Sequence, residues 1–316
     1  MMRRRALFVA LPAALYAGRA RAQPTRLELA CYSSQTLAAT AAQVFAAQAA
    51  ELFPGAFEVA VAEIPPTMPF AVIGRASALA SYYAPAFAAE EPVLGLSAVP
   101  MLAATFDEAE VLLRIARPSY AAALARRGQV LLAVEPWRPA ALWSTFRLRS
   151  AADLRGARFT VDETAYAGAG WAALFARLHT EHASYAQAEV LLAGGYTASE
   201  TLAREFACTS EIFFAQQLTF LTASRAMFEA LSETQREALL AIARETEAEL
   251  WRAIRAFVRR DRLETAARGV EVSAEPPADL VAALRKSAEP DVQRWAATTG
   301  EEGAAILSHY RRAIGF

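Results

Sequence analysis

Two stretches of the chain carry residues whose type and spacing invite a cofactor-binding or catalytic reading. Gly168-Ala-Gly170-Trp-Ala-Ala173 has the glycine spacing of a dinucleotide fingerprint. That mechanism needs its first glycine in the tight turn directly after a strand, so that the following helix start faces the pyrophosphate. Here Gly168 comes seven residues after Val161, the end of the expected strand, and the glycines are read as helix packing. His179-Thr-Glu-His182 places two imidazoles at i and i+3 on an expected helix, a spacing that can grip a metal. A metal site needs three or four ligands, and the only other histidine is His309. There is no Gly-x-Ser-x-Gly elbow, and neither Cys31 nor Cys208 has an obvious histidine partner. No enzyme activity, cofactor or metal is therefore expected, with a metal-dependent hydrolase using His179 and His182 kept as the alternative.

A second group of residues suits recognition better than catalysis. Tyr82, Tyr83, Trp137, Arg138, Trp143, Thr160, Gln216 and Gln217 fall at expected strand ends and chain crossings. In α/β folds ligands bind beyond the carboxyl ends of strands and in clefts between domains. Aromatic walls with one guanidinium suit a small organic anion, because arginine holds a carboxylate through two parallel hydrogen bonds.

These residues need elements to position them. Leu27–Cys31 and Phe57–Val61 read as strands on either side of a helix from Thr36 to Leu52, an order that indicates an α/β layer with a parallel sheet. Tyr82 and Tyr83 are expected in a loop. Helices are expected at Asp107–Arg117 and, beyond Pro118, at Tyr120–Arg127, with a strand at Val130–Val134. Pro136 and Pro139 restrict the backbone around Trp137-Arg138 and mark a first crossing between domains. Arg158–Val161 reads as a strand and Trp171–Leu178 as a helix. Phe206–Leu221 reads as a pair of strands with a return crossing, broken at Gln216-Gln217. Ser232-Glu-Thr-Gln235 is a capping box. After it Leu239, Ile242, Thr246, Leu250, Ile254 and Phe257 recur at helical spacing up to a stop at Gly269. Such a helix is on the order of 50 Å long, more than one small domain needs. A short strand at Val270–Val272 and helices at Asp279–Thr298 and Glu301–Ile314 close the chain.

Composition narrows the class. The chain has 316 residues, 55% hydrophobic, with a formal charge of −1. Two domains with real cores fit that length, and neither disorder nor a disulfide-stapled miniature fold does. Residues 1–22 read as a secretory signal, with Arg3, Arg4 and Arg5, an apolar run from Ala6 to Gly18, and Ala20-Arg21-Ala22 as a small-x-small cleavage site. The apolar run is shorter than the roughly 20 residues a membrane helix needs. Removing the leader leaves a mildly acidic protein, which argues against nucleic acid or membrane insertion as its business. In an oxidising compartment Cys31 and Cys208 either pair or serve as buried small hydrophobes.

Several stretches, taken in order, carry a family likeness. They are the 74–91 region leading into Glu91-Pro-Val-Leu-Gly-Leu-Ser-Ala-Val-Pro100, Trp137-Arg138, Ser150-Ala-Ala-Asp-Leu-Arg-Gly156, Ala188-Glu-Val-Leu-Leu192 and Phe228-Glu-Ala-Leu231 before the capped helix. Trp295, Gly300 and Ile306 follow near the end. Over nearly all of the mature chain the sequence resembles the extracytoplasmic solute-binding subunit of tripartite ATP-independent periplasmic (TRAP) transporters. The resemblance implies a two-lobed periplasmic-binding-protein fold of α/β class, with hinge-crossing strands and one long helix spanning both lobes. The expected division is 23–135 and 212–250 for lobe I, and 136–211 and 251–316 for lobe II. It also implies a periplasmic monomer that captures a small organic acid by lobe closure and delivers it to TRAP permease subunits. A ligand-binding component of a sensing system is the alternative. One departure matters: where the family carries an arginine that pairs with the substrate carboxylate, this chain has Thr160. Arg158 lies on the same strand face, about 7 Å further back. The stretch 193–200 looks shorter than the family's equivalent, and Arg138 matches a second family arginine.

Overall fold

The computed structural model describes residues 23–32, 37–64, 77–162, 170–193 and 198–315. Residues 1–22, read in the sequence as a leader, Gly168, and residues 194–197 of the stretch read as short lie outside them. The chain begins with strand β1 (Thr25–Tyr32), helix α1 (Leu37–Leu52) and strand β2 (Phe57–Ile64). Strand β3 (Leu79–Tyr83), helix α2 (Phe106–Arg126) and strands β4 (Gln129–Pro136), β5 (Ala141–Ser144) and β6 (Arg158–Val161) follow. Next come helix α3 (Gly170–Ala176), the two-residue strand β7 (Glu181–His182), β8 (Val190–Ala193), α4 (Ala198–Leu202), β9 (Cys208–Ser210) and β10 (Leu218–Ser224). Helices α5 (Arg225–Ala230) and α6 (Glu233–Ala267), strand β11 (Glu271–Ser273), and helices α7 (Ala278–Thr299) and α8 (Glu301–Ile314) complete it.

Two local expectations change. Tyr82 and Tyr83 lie in β3, not in a loop, because β3 pairs with β1 in the register Leu29↔Leu79. The two helices expected around Pro118 are one, α2. Proline removes one backbone donor and crowds the preceding turn. Pro118 faces solvent, however, and Leu112, Leu113, Ala116, Tyr120, Ala123 and Leu124 form an unbroken buried stripe past it. Packing on that stripe outweighs the lost bond.

The chain divides into two compact units. Of the described residues, the first takes those up to Tyr82, Leu124–Glu135 and Thr219–Leu250; the second takes those in Tyr83–Ala123, Pro136–Leu218 and from Trp251 on. Residues 83–123 and 212–218, placed in lobe I by the sequence boundaries, thus group with the second unit. Met101 shows why: its amide donates to the Phe214 carbonyl at 2.6 Å, and its side chain joins the core cluster that holds Ile212 and Phe214.

The first unit is built on a five-stranded sheet in the order β2-β1-β3-β10-β4, with β1 parallel to β2 and β3. Leu27, Leu29 and Cys31 alternate onto one buried face with Phe45 and Ala49 of α1 and Leu239 and Ile242 of α6, while Arg26 and Glu28 stay exposed. The second unit has a six-stranded sheet in the order β11-β9-β5-β8-β6-β7, in which β5 runs antiparallel to β8 and β9. Its central strand β8 is buried on both faces. Val190 and Leu192 enter one core cluster, Leu191 and Ala193 the other, which is why Val190-Leu-Leu-Ala193 reads as a continuous apolar run.

The capping box forms as expected. The Ser232 amide donates to Gln235 Oε1 at 3.0 Å, and the Gln235 amide donates to Ser232 Oγ at 3.3 Å. Helix α6 then runs 35 residues and is followed by Gly269 at φ +89°, a backbone that glycine adopts without strain. Leu250 is the last of its residues in the first unit and Trp251 the first in the second. Cys31 is buried, Cys208 half-buried, and both are free thiols. Among the described residues no helix is long and apolar enough to cross a membrane.

Candidate functional site

Four of the residues singled out in the sequence come together in the second unit. The rings of Tyr83 and Trp137 lie 4.9 Å apart at a 41° tilt. The Trp137 amide donates to the Gln217 carbonyl at 2.9 Å, and Gln216 Nε2 donates to the Trp137 carbonyl at 2.6 Å. Trp137 follows the end of β4, and Gln216-Gln217 immediately precede β10. These bonds fix Trp137 from both sides of its peptide. Gln216 Oε1 is buried with no protein partner, and it lines a void of about 10 Å3 with Ser97, whose hydroxyl is likewise unpaired. The rest of the lining is mostly apolar, with Leu96, Val99, Leu112 and Leu218 among it.

Arg138 is nearly buried and already engaged. Its guanidinium pairs with Asp261 and lies over the Phe257 ring, 5.6 Å from the centroid. Arg138 and Asp261 line a chamber of about 30 Å3 with Trp143, Thr209, Glu211, Arg262 and Thr265. Arg262 grips Glu211 through two bonds of 2.9 and 2.8 Å. Burial pushes the Glu211 carboxyl up, against the opposing pull of Arg262. The hydroxyls of Thr209 and Thr265 are buried without protein partners. A chamber this small admits water-sized occupants and excludes an organic acid. An anion at Arg138 therefore either shares the guanidinium with Asp261 or displaces it.

Trp143 and Thr160 meet in a different way. Both are registered against Leu191 of β8, and Thr209 pairs with Trp143 on the far side. Cross-strand partners share a face, so Thr209, Trp143, Leu191 and Thr160 form one row across the sheet. Thr160 is buried. Arg158, two residues back on β6, is half-exposed; its Nε donates to the Gln187 carbonyl at 2.8 Å and its Nη2 pairs with Glu189 at 3.0 Å.

Tyr82 has a different surrounding altogether. It is fully buried in the first unit, donating its hydroxyl to Gln129 Oε1 at 2.9 Å, an atom that also accepts from Thr222 Oγ1 at 2.7 Å. The histidine pair is not on a helix. Helix α3 ends at Ala176, His179 takes a left-handed φ of +62°, and Glu181-His182 form β7 against β6. The i and i+3 geometry behind the metal reading is thus absent, and no group of three or more metal-ligating side chains occurs among the described residues.

Sequence reasoning missed Glu135, Glu211, Asp261 and Arg262. Glu135 left a usable signal, a lone acid closing the apolar run of β4. It is buried, its Oε2 has no partner, and burial pushes its carboxyl well above the usual 4.5. The folded state then holds this proton more tightly than the unfolded chain does. Its stabilising contribution is full below about pH 4.5 and is lost as pH rises from there toward the folded value. The Glu135→Gln variant should gain on the wild type by up to about 1.4 kcal/mol per pH unit across that window. Urea unfolding at about pH 5 and pH 8 checks this; the same wild-type to variant difference at both values would sink it.

Neither a protein-family model nor a curated protein matches the sequence. Solved structures do. A Bordetella pertussis extracytoplasmic solute receptor binding pyroglutamic acid superposes with a TM-score of 0.72 at 22% identity, covering 91% of this chain and 99% of the receptor. A TRAP periplasmic solute-binding protein from Rhodobacter sphaeroides, in an apo open form, gives 0.78 at 14% identity over 91% and 99%. The ectoine-binding protein of the TeaABC TRAP transporter gives 0.74 at 12% identity over 91% and 98%. At these identities the likeness concerns the fold, and the chain has the two-lobed α/β fold of TRAP solute receptors.

Proposed function

We propose that the protein is the periplasmic solute-binding component of a TRAP-type transporter, a monomer that takes up a small organic acid or related polar solute and hands it to the membrane permease subunits. The likeness to solute receptors along almost the whole chain, at TM-scores of 0.72 to 0.78, carries this reading. Thr160 and Arg138 refine it. A threonine in place of a fixed arginine forgoes a charge-assisted bond worth about 1.5–3 kcal/mol. Arg138, held by Asp261, does not freely replace it. The solute is accordingly one that needs less than a dedicated counter-charge: a monocarboxylate, an aromatic acid or a neutral polar molecule. Pyroglutamic acid, bound by the Bordetella receptor, combines one carboxylate with a neutral lactam and is the first compound to try.

Transport follows from differential binding. The solute must favour the closed form over the open one, because a ligand with equal affinity for both shifts nothing. A thermal-shift screen tests the solute class. At about 100 times its Kd the true solute adds about 2.7 kcal/mol, on the order of 5 °C for a protein of this size. Stabilisation by C4 dicarboxylates alone would contradict the proposed specificity. X-ray scattering tests the mechanism: absence of compaction with every stabilising ligand would remove closure from it.

A further inference from the structure

The second unit has another cavity, larger than the chamber at Arg138. It has a volume of about 280 Å3, is formed by α7, α8 and residues 100–102, and shares no lining residue with that chamber. Its floor is apolar, with Met101, Leu102 and Val292 all buried. Tyr310 is buried beside them, and its hydroxyl is spent on the Leu102 carbonyl at 3.0 Å, so the ring presents carbon to the cavity.

The rim is charged. Arg285 bonds both oxygens of Glu108 at 2.8 and 2.7 Å, and Arg311 bonds both oxygens of Glu289 at 2.9 and 3.0 Å. Those two pairs cancel. Lys286, exposed and the only lysine in the chain, leaves the rim with one net positive charge among the described residues. Apolar depth under a single positive charge is the complement of a short amphiphile with one negative charge. At the liquid share of about 30 Å3 per small group, the space holds on the order of ten non-hydrogen atoms. A C8 fatty acid has about that number.

We propose that the cavity between α7 and α8 is a second small-molecule site, taking a free medium-chain monocarboxylate with its tail on Met101, Leu102 and Val292 and its carboxylate at Lys286. Pockets of this kind, mostly apolar with a few placed polar groups, are the usual form of ligand sites. The site is independent of the proposed solute site, since it draws on none of the residues assigned there.

The single lysine provides the test. Reductive methylation with 13C-formaldehyde keeps the positive charge and labels only Lys286 and the chain's α-amino group. Titration of the full mature protein with octanoate should shift the Lys286 methyl signal saturably, while acetate leaves it unmoved. By calorimetry, octan-1-ol in place of octanoate, or Lys286→Gln, should weaken binding about two- to fivefold, the range for one exposed charge. Ala282→Trp, at an exposed lining position where folding is not at stake, should weaken octanoate at least tenfold by filling the mouth. A linear, non-saturating response overturns the proposal. So does octanoate affinity unchanged in Ala282→Trp, which would place the ligand elsewhere on the protein.

Discussion

Asp261→Ala should lower the unfolding free energy by about 3–5 kcal/mol, the cost of leaving a buried charge without its partner. The side chains of Arg138 and Asp261 are only 10% and 15% exposed, so solvent does little to screen the loss. Glu211 lines the same chamber and supplies partial compensation, which puts the expected value at the lower end of that range. Replacing both members with apolar residues, Arg138→Met with Asp261→Leu, should recover most of the loss, because the desolvation penalty of both ions disappears with their attraction. A double-mutant cycle in urea measures the difference. A single variant within about 0.5 kcal/mol of wild type would mean that Arg138 is not held as a buried ion pair. The same cycle, repeated with a bound solute, also reports on function: a solute that displaces Asp261 from Arg138 should be bound more tightly by Asp261→Asn.

Phe175→Ala has a comparable expected effect, for an unrelated reason. Phe175 is fully buried, stacked on Phe159 at 3.7 Å between centroids and 15° between planes, and 5.6 Å from the Phe214 ring. Removing it loses the transfer energy of the ring and leaves a cavity that a close-packed core cannot collapse, together about 3–5 kcal/mol. Phe159 is the neighbour of Thr160 on β6, and successive residues face opposite ways. The aromatic stack therefore holds the strand from behind while Thr160 faces the row with Trp143. Loss of stability with solute affinity retained would separate the core role from the site; loss of neither would contradict the packing argument. Phe175→Leu should cost much less, since most of the volume stays filled.

Much of the fold was legible in local pattern. The capping box at Ser232, the apolar stripe from Leu239 to Ile254 and the glycine stop at Gly269 define α6 without reference to any other part of the chain. The order of β1, α1 and β2 and the two closing helices are legible in the same way. Their signals lie within a few residues of one another, and local propensity and periodicity are what such signals encode.

What the chain does at its site was decided elsewhere. Arg138 finds Asp261 123 positions away, a pairing that no local pattern announces. Trp143 and Thr160 become neighbours in one row only because Leu191 of β8 runs between them. Pro118 is absorbed because the helix buries a stripe on both sides of it, and the histidine pair leaves its expected helix because pairing with β6 takes over. The sequence by itself determined the elements, the capped long helix and the residue types available for recognition. The tertiary structure decided which charges are already spent and which residues share a face, because those outcomes depend on contacts between segments far apart in the chain, whose energies no local pattern records.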